Sequence, residues 1–276
     1  MRPMADAPAL TVTLLGTGTS TGVPVLGCGC AVCTSPDPRD ARLRTSAHVV
    51  AHTADGDVHL QIDAGPDFRR QALRAGIADV DALLVTHEHF DHIVGLDDLR
   101  PLFFRNRTPI PVHARPETAE ALRRMFGYVF DRTYPGASLL DLHPVDAGAP
   151  FAVASRSGGG AVTVTPVEAP HGRATVLGFR IGAFGYLTDV SAVPEAARAA
   201  LAGVQTLVLD GLRDEPHPTH LTFAEAAAVA ADVGARETWL VHVTHGARHA
   251  DVDAALPEGV RLAYDGLVLR VSGGAA

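Results

Sequence analysis

Short apolar runs rich in β-branched residues alternate along the chain with alanine-rich stretches, a pattern typical of a protein with both strands and helices. The predicted strands are residues 10–15, 47–51, 58–62, 82–85, 162–167, 175–181, 206–209, 238–241 and 267–271. The predicted helices are residues 67–75, 116–126, 194–202 and 223–233. This order indicates two similar β-rich halves, although no sequence repeat of fixed period links them.

No stretch of the chain has the composition of a linker between independent domains. The length of 276 residues, with 47% hydrophobic and 20% charged residues, allows a large core and is unlike the composition of a disordered chain. We therefore expect residues 1–276 to form a single α/β domain. Tyr134-Pro135-Gly136, after the helix at 116–126, predicts a turn or loop.

The formal net charge of -8 argues against a protein that coats nucleic acid, because such binding needs clustered basic side chains. No stable nucleic-acid complex is expected. A phosphorylated substrate remains compatible, since bound metal ions could reverse the electrostatic field inside one pocket. No apolar run is long enough to span a membrane, and no signal-like segment follows Met1. We expect a cytoplasmic protein without membrane contact.

Four potential metal ligands, His87, His89, Asp91 and His92, lie within six residues directly after the predicted strand at 82–85. Imidazole and carboxylate groups bind Zn²⁺, Mn²⁺ and Fe²⁺. A tight loop after a strand could direct His87 and His89 to one metal and Asp91 and His92 to a second. The alternative is a solvated polar loop. Further ligand-type residues follow other predicted strands, namely Asp63, His171, Asp189 and His242.

All three cysteines of the chain, Cys28, Cys30 and Cys33, lie within six residues. An odd number of cysteines this close together cannot form a disulfide framework. Three thiolates and one imidazole are a common closed shell for a structural Zn²⁺. His245, three residues after His242, is the candidate fourth ligand; three free cysteines are the alternative.

The segment Gly16-Thr17-Gly18-Thr19-Ser20-Thr21-Gly22 follows a predicted strand and superficially resembles a dinucleotide-binding loop. Its glycine spacing differs from that of the fingerprint, and no helical pattern follows it. We expect instead a loop at the rim of the metal pocket.

The motif His87-x-His89-x-Asp91-His92, with Asp63 upstream, resembles the signature of the metallo-β-lactamase superfamily. The resemblance implies an αββα four-layer sandwich. It further implies that a hydroxide bridging two divalent metal ions, Mn²⁺ or Zn²⁺, performs hydrolysis. The implied ligands are His87, His89 and His171 for one metal, Asp91, His92 and His242 for the other, and Asp189 as the bridge. Asp91 is also expected to be a catalytic residue.

The cysteine cluster, together with the segments 16–24, 44–47, 126–130, 217–222 and 242–245, resembles the PhnP family of phosphodiesterases in phosphonate breakdown. That resemblance implies a structural Zn²⁺ and a small phosphorylated sugar as substrate, 5-phosphoribosyl 1,2-cyclic phosphate, opened to ribose 1,5-bisphosphate. His220 would protonate the leaving alkoxide; alternatively, His217 and His220 only cap a helix near Thr222. A homodimer is compatible with the sequence.

Two competing functions share this signature. A tRNA 3′-processing endonuclease would carry a basic, glycine-rich arm, and the sequence contains no such insertion. A non-catalytic protein of cofactor biosynthesis would lack catalytic ligands, whereas every ligand position is filled here. Arg44 and Arg105 are candidates to grip a phosphate, with surface ion pairs as the alternative.

Overall fold

The strands form two seven-stranded sheets, seen in a computed structural model that describes residues 8–131, 133 and 140–273. The strands of this part, β1 to β14 in chain order, are Ala9–Gly16, Ser46–Thr53, Gly56–Ile62, Ala82–Leu84, Ile110–Ala114, Leu140–Pro144, Phe151–Ala154, Ala161–His171, Ala174–Ile181, Phe184–Leu187, Thr206–Asp210, Glu237–Val241, Val260–Leu262 and Val268–Val271. The predicted turn at Tyr134-Pro135-Gly136 lies outside the described residues.

The two sheets follow the two halves of the chain. One sheet has the order β14-β1-β2-β3-β4-β5-β6 and the other the order β13-β12-β11-β10-β9-β8-β7. Among the described strands, β14 is the one that returns from the second half of the chain to pair with β1, for example where Leu10 lies opposite Val271. The predicted halves are therefore present, and the last strand joins them.

The helices cover the outer faces of the two sheets. In chain order α1 to α8 are Phe68–Ala75, Phe90–Ile93, Arg100–Asn106, Pro116–Met125, Gly127–Phe130, Glu195–Leu201, Phe223–Val233 and His249–Ala255. α1 and α4 pack on the first sheet through residues such as Phe68 and Leu122. α6 and α7 pack on the second through residues such as Leu201 and Phe223. A third apolar cluster fills the space between the sheets. The predicted αββα sandwich is confirmed.

All nine predicted strands and all four predicted helices are present, with ends that differ by at most four residues. The prediction missed β5, β6, β7, β10 and β13, and also α2, α3, α5 and α8. Most of these elements have three to five residues, too short to show a period in the sequence. None of the helices among the described residues has both the length and the apolar character needed to cross a bilayer.

The sheet topology brings the carboxyl ends of strands from both sheets to one edge. β3 and β4 run parallel to each other, as do β10, β11 and β12. Asp63 directly follows β3, and His242 directly follows β12. Parallel strands present their carboxyl ends along the same edge, which is where open sheets place their binding sites. The predicted ligands gather there.

Candidate metal centre

Two groups of ligand-type side chains meet at this edge of the sandwich. The ligand atoms of His87, His89 and His171 all lie within 4.8 Å of one another. The second group obeys the same limit and consists of Asp91, His92, Asp189 and His242. Asp189 also lies within 4.8 Å of His171 and His220, between the two groups. The structure thus brings together all seven residues that the sequence analysis had assigned to two metals.

A short helix, not the expected loop, presents the second half of the motif. Asp91 and His92 lie in α2, whose N-cap is His89. The helix backbone packs directly on Gly65, where a Cβ atom would come within 1.9 Å of the Asp91 carbonyl oxygen. The expectation of a loop was wrong, because four residues are too few to show helical periodicity in the sequence.

Neighbouring acceptors orient the imidazole rings. Nδ1 of His92 donates to Asp63 Oδ2 at 2.7 Å, and Nδ1 of His171 donates to the Thr219 carbonyl at 2.9 Å. Thr86 Oγ1 donates to Asp63 and lies 3.0 Å from Nδ1 of His87. A proton fixed on Nδ1 leaves the lone pair of Nε2 free to face the cluster, as in metal-binding histidines. Asp63 therefore orients ligands rather than belonging to either group.

Buried nitrogen atoms without hydrogen bonds support a metal at this place. Nε2 of His87, Nε2 of His92 and both ring nitrogens of His242 are inaccessible to water and form no hydrogen bond among the described residues. Buried polar atoms are normally paired, so this many orphaned nitrogens in one pocket require a partner. Divalent cations fit the imidazole and carboxylate set. His89 is exposed and leaves the pocket open to solvent.

The charged groups of the pocket shift one another's pKa values. Burial disfavours a charge on His92, yet the Asp189 and Asp63 carboxylates raise its pKa well above the ordinary value. Burial also opposes the charge on Asp189, but His242 and His92 hold its pKa well below the ordinary value. Burial and the neighbouring His92 lower the pKa of His87. The carboxylates thus create a field that favours positive charge at the centre of the pocket.

His220 and Asp210 form a buried pair beside the second group. Nδ1 of His220 donates to Asp210 Oδ1 at 3.2 Å, and the other carboxylate oxygen accepts the Leu221 N–H at 2.9 Å. The ring centroid of His220 lies 4.9 Å from that of His171 and 4.6 Å from that of His242. Nε2 of His220 is therefore free to act on a group bound in the pocket. Thr222 caps α7 itself, through a capping box with Glu225, so the capping alternative for His220 was wrong.

The three cysteines surround a single imidazole nitrogen. Nδ1 of His245 lies 3.3 Å from the sulfur of Cys28 and 3.5 Å from those of Cys30 and Cys33. For a tetrahedral zinc ion, usual bond lengths give a sulfur–nitrogen distance of about 3.6 Å. The Cys33 N–H, aided by His245 and opposed by burial, lowers the pKa of Cys30 to about 6. The cluster fits a closed zinc shell.

The other predicted residues take different places. Arg44 forms an ion pair with Asp67 at 3.2 Å, and Arg105 donates to the Ala78 carbonyl. The glycine-rich segment passes beside the pocket, where the Thr19 N–H donates to the Val243 carbonyl at 3.2 Å. Sequence reasoning missed Asp210, which ends an ordinary apolar strand and carries no local signal.

Comparisons with known proteins show which family the chain belongs to. A model of the β-lactamase superfamily domain matches residues 59–243. A solved structure described as a diphosphatase of the PhnP family is 40% identical, with a TM-score of 0.85, and the match covers 97% of this chain and 99% of that one.

Two curated relatives carry different names. An octanoyltransferase of Porphyromonas gingivalis is 40% identical over 257 residues, which are 92% of this chain but 50% of the relative. A ribonuclease Z of Mycolicibacterium paratuberculosis is 29% identical over 271 residues, 84% of this chain and 85% of the relative. The chain thus spans about half the length of the first relative.

The family also accounts for the chemistry of the pocket. Its fold implies divalent metal ions, in agreement with the clustered ligands and their orphaned nitrogens. The chain belongs to the metallo-β-lactamase superfamily and is similar to a member of its PhnP family.

Proposed function

We propose that this protein is a phosphodiesterase that opens a small cyclic sugar phosphodiester. The substrate proposed is 5-phosphoribosyl 1,2-cyclic phosphate, the product is ribose 1,5-bisphosphate, and the setting is phosphonate breakdown. His87, His89 and His171 would hold one divalent metal, Asp91, His92 and His242 a second, and Asp189 would bridge them. Zn²⁺ and Mn²⁺ both suit this set. Cys28, Cys30, Cys33 and His245 would hold a structural Zn²⁺.

The placement of His220 carries the proposal. Opening a cyclic phosphodiester expels an alkoxide, which needs a proton as it leaves. His220 is 9% exposed and lies against the metal ligands, with its Nδ1 held by Asp210. Its Nε2 can then give a proton to a leaving oxygen in the pocket. A histidine suits this role because it can be protonated before the step and neutral after it near pH 7.

The remaining work is divided between the metals and the chain. Two divalent ions, when bound, supply an activated water molecule and neutralise charge on the phosphoryl oxygens. Asp63 fixes the ring of His92 and thereby the direction of its Nε2. Asp210 does the same for His220. The chain thus holds these side chains in position before the reaction, so no reorganisation energy is needed during it.

Hydrolysis of a diphosphate is the second candidate, because the solved relative at 40% identity is described as a diphosphatase. The same residues would serve it, since a phosphate leaving group also benefits from a proton donor. Cleavage of tRNA at its 3′ side and a non-catalytic role in cofactor synthesis remain the competing readings. Relatives named ribonuclease Z and coenzyme PQQ synthesis protein B are 28–32% identical to this chain.

A substrate panel with an inactive variant tests the proposal. The metal-loaded enzyme should open the cyclic sugar phosphodiester faster than it cleaves a sugar diphosphate, a cyclic nucleotide, precursor tRNA or an octanoyl thioester. Asp91→Ala should lower turnover of bis(p-nitrophenyl) phosphate more than about 100-fold without unfolding the protein. Removal of a residue that only orients a metal ligand already costs up to about 100-fold in activity, and removal of the ligand itself should cost more.

Asp251→Ala, at an exposed position on α8, is the matched control and should retain full turnover. Unchanged turnover in Asp91→Ala would contradict the proposed catalytic metal site. Efficient cleavage of precursor tRNA would replace the proposed substrate with RNA, and preference for the diphosphate would select the second candidate.

A further inference from the structure

A two-residue turn directly after the proposed ligand His171 carries an exposed arginine. β8 ends at His171 and β9 begins at Ala174, which pairs with His171 across the hairpin, so Gly172 and Arg173 form the turn. Gly172 has φ 62°, as the first central position of such a turn requires. Arg173 is exposed and lies two residues from a proposed metal ligand.

Neighbouring loops on both sides hold this turn in place. The Gly172 N–H donates to Ser191 Oγ at 3.3 Å, and the Ser191 N–H donates to the Pro170 carbonyl at 2.8 Å. On the other side, Gly172 packs so closely on Thr219 that a Cβ atom would lie 2.7 Å from its methyl group. The backbone that carries Arg173 is therefore fixed between the segment after Asp189 and the segment before His220.

The charge of Arg173 is uncompensated within residues 8–131, 133 and 140–273. Its guanidinium forms no ion pair or hydrogen bond with them, whereas Arg44, Arg115 and Arg156 all have carboxylate partners. The chain has no lysine, so each of its 23 basic residues carries the planar guanidinium group. Arginine binds phosphate through two parallel hydrogen bonds, which makes it the suitable side chain for a phosphate subsite.

A second positive group lies in the adjoining loop. Arg213 is 3.8 Å from the carboxylate of Glu215, whose side chain is 78% exposed, so this ion pair is weak. After burial and His220, the charge of Arg213 contributes to lowering the pKa of His217. Arg213 thus adds a positive charge to the loop that packs on the Gly172-Arg173 turn through Thr219, although the whole chain is acidic.

We propose that Arg173 binds a second phosphate group of the substrate, outside the metal pocket, and so selects cyclic sugar phosphodiesters that carry this second phosphate over those that lack it. The inference deepens the proposed function and rests on it. A cyclic phosphodiester in the pocket would present its second phosphate on the side of the β8–β9 turn. A diphosphate substrate with a further phosphate would use the same subsite.

Matched ligands with and without the second phosphate test this subsite. For Arg173→Ala, kcat/KM on 5-phosphoribosyl 1,2-cyclic phosphate should fall about 10- to 100-fold, as for a lost hydrogen-bonded charge pair, with the change mostly in KM. Turnover of ribose 1,2-cyclic phosphate and of bis(p-nitrophenyl) phosphate should stay unchanged. Arg173→Lys should recover part of the loss.

The control is Arg236→Ala, which removes an exposed arginine at the opposite end of the parallel strands, just before β12. It should behave as the wild type. Calorimetry adds a measurement without turnover: Arg173→Ala should weaken binding of ribose 1,5-bisphosphate about 10-fold or more and leave binding of ribose 1-phosphate unaltered.

Equal losses on substrates with and without the second phosphate, or equal binding of ribose 1,5-bisphosphate by wild type and variant, would overturn the subsite. A wild type that hydrolyses no phosphodiester would overturn the proposed function instead. The calorimetric comparison would then still test whether Arg173 binds the second phosphate group.

Discussion

At the scale of single residues, three members of the site adopt left-handed backbone conformations. Asp63, Asp189 and His242 have φ of 55°, 58° and 66°. Such conformations cost non-glycine residues about 1–3 kcal/mol each and persist only where the surroundings enforce them. At Asp63 the enforcement is visible, because Ser46 Oγ and Gln61 Nε2 both donate to its carbonyl. The strain turns each side chain from the strand end towards the ligand cluster.

Asp210 should matter for catalysis through His220. Asp210→Asn retains the shape of the side chain but cannot accept both the His220 and the Leu221 hydrogen bonds. We expect kcat on an alkyl phosphodiester to fall about 10- to 100-fold, a fraction of what a general acid contributes. Metal content and KM should be unchanged. Steady-state kinetics with metal analysis checks this.

Substrates with different leaving groups distinguish a role of Asp210 and His220 in proton donation from a purely structural role. p-Nitrophenolate departs as a stable anion and needs little protonation, so Asp210→Asn and His220→Ala should lose far less activity on bis(p-nitrophenyl) phosphate. Similar losses on both substrates would contradict the assignment of His220 as proton donor.

At the scale of elements, the segment between β12 and α8 serves both metal clusters. It carries His242 for the catalytic pocket and His245 for the cysteine cluster. The buried Arg42 guanidinium donates to the carbonyls of Thr244 and Ala247 and pairs with Asp40 at 3.4 Å. The cysteine loop itself has no helix or strand. A zinc ion held by this loop and by His245 would therefore link the loop to the segment between β12 and α8.

Cys30→Ser should remove the zinc that resists chelation. The purified protein should contain about one tightly held Zn²⁺ besides exchangeable ions, because closed thiolate shells bind strongly. The variant should lose it and melt at a lower temperature. Metal analysis after mild chelation, followed by thermal unfolding, measures both effects.

Ser35→Ala lies on the same segment outside the cluster and should keep the zinc. Loss of all zinc from the wild type under mild chelation, with an unchanged melting temperature, would contradict a structural role for the cluster.

At the scale of the whole molecule, one buried carboxylate ties distant parts of the chain together. Asp265, in the segment between β13 and β14, accepts hydrogen bonds from the N–H and hydroxyl of Thr17 and from the N–H of Leu43. Its side chain is 6% exposed. Burial outweighs these hydrogen bonds and raises the pKa of Asp265 to about 6.

The raised pKa of Asp265 predicts a pH dependence of stability. Because its folded pKa lies above the unfolded value, folding favours the protonated form. The contribution of protonated Asp265 to stability is complete below the pKa that this carboxyl has in the unfolded chain. It is lost as the pH rises through the folded pKa of about 6. The shift corresponds to about 3 kcal/mol of the free energy of unfolding. Denaturant unfolding of wild type and Asp265→Asn between pH 4 and 7 checks this.

The comparison of the two proteins cancels any common loss of metal in acid. As the pH rises, the wild type should lose stability relative to the variant, and the two curves should run parallel above about pH 7. A difference that does not vary with pH would show that Asp265 titrates normally.

The sequence predicted those parts of the fold that leave a local pattern. Long strands such as β1 and β8 show apolar alternation, and α7 was predicted with its observed bounds of Phe223–Val233. The ligand motif could be found because its residue types are crowded into six positions. β10 and β13 have only four and three residues, too few for any period.

By itself the sequence determined the four ligand-type residues at 87–92 and the cysteine set, because each set occupies neighbouring positions. The fold class and the ligands His171, Asp189 and His242 followed from the resemblance of that motif to a known family. Only the tertiary structure decided which side chains support them. Asp210 and Arg42 have no distinguishing neighbours in the sequence, and their roles come from burial and from contacts with distant segments. Such pairings depend on how two sheets pack, which no local pattern records.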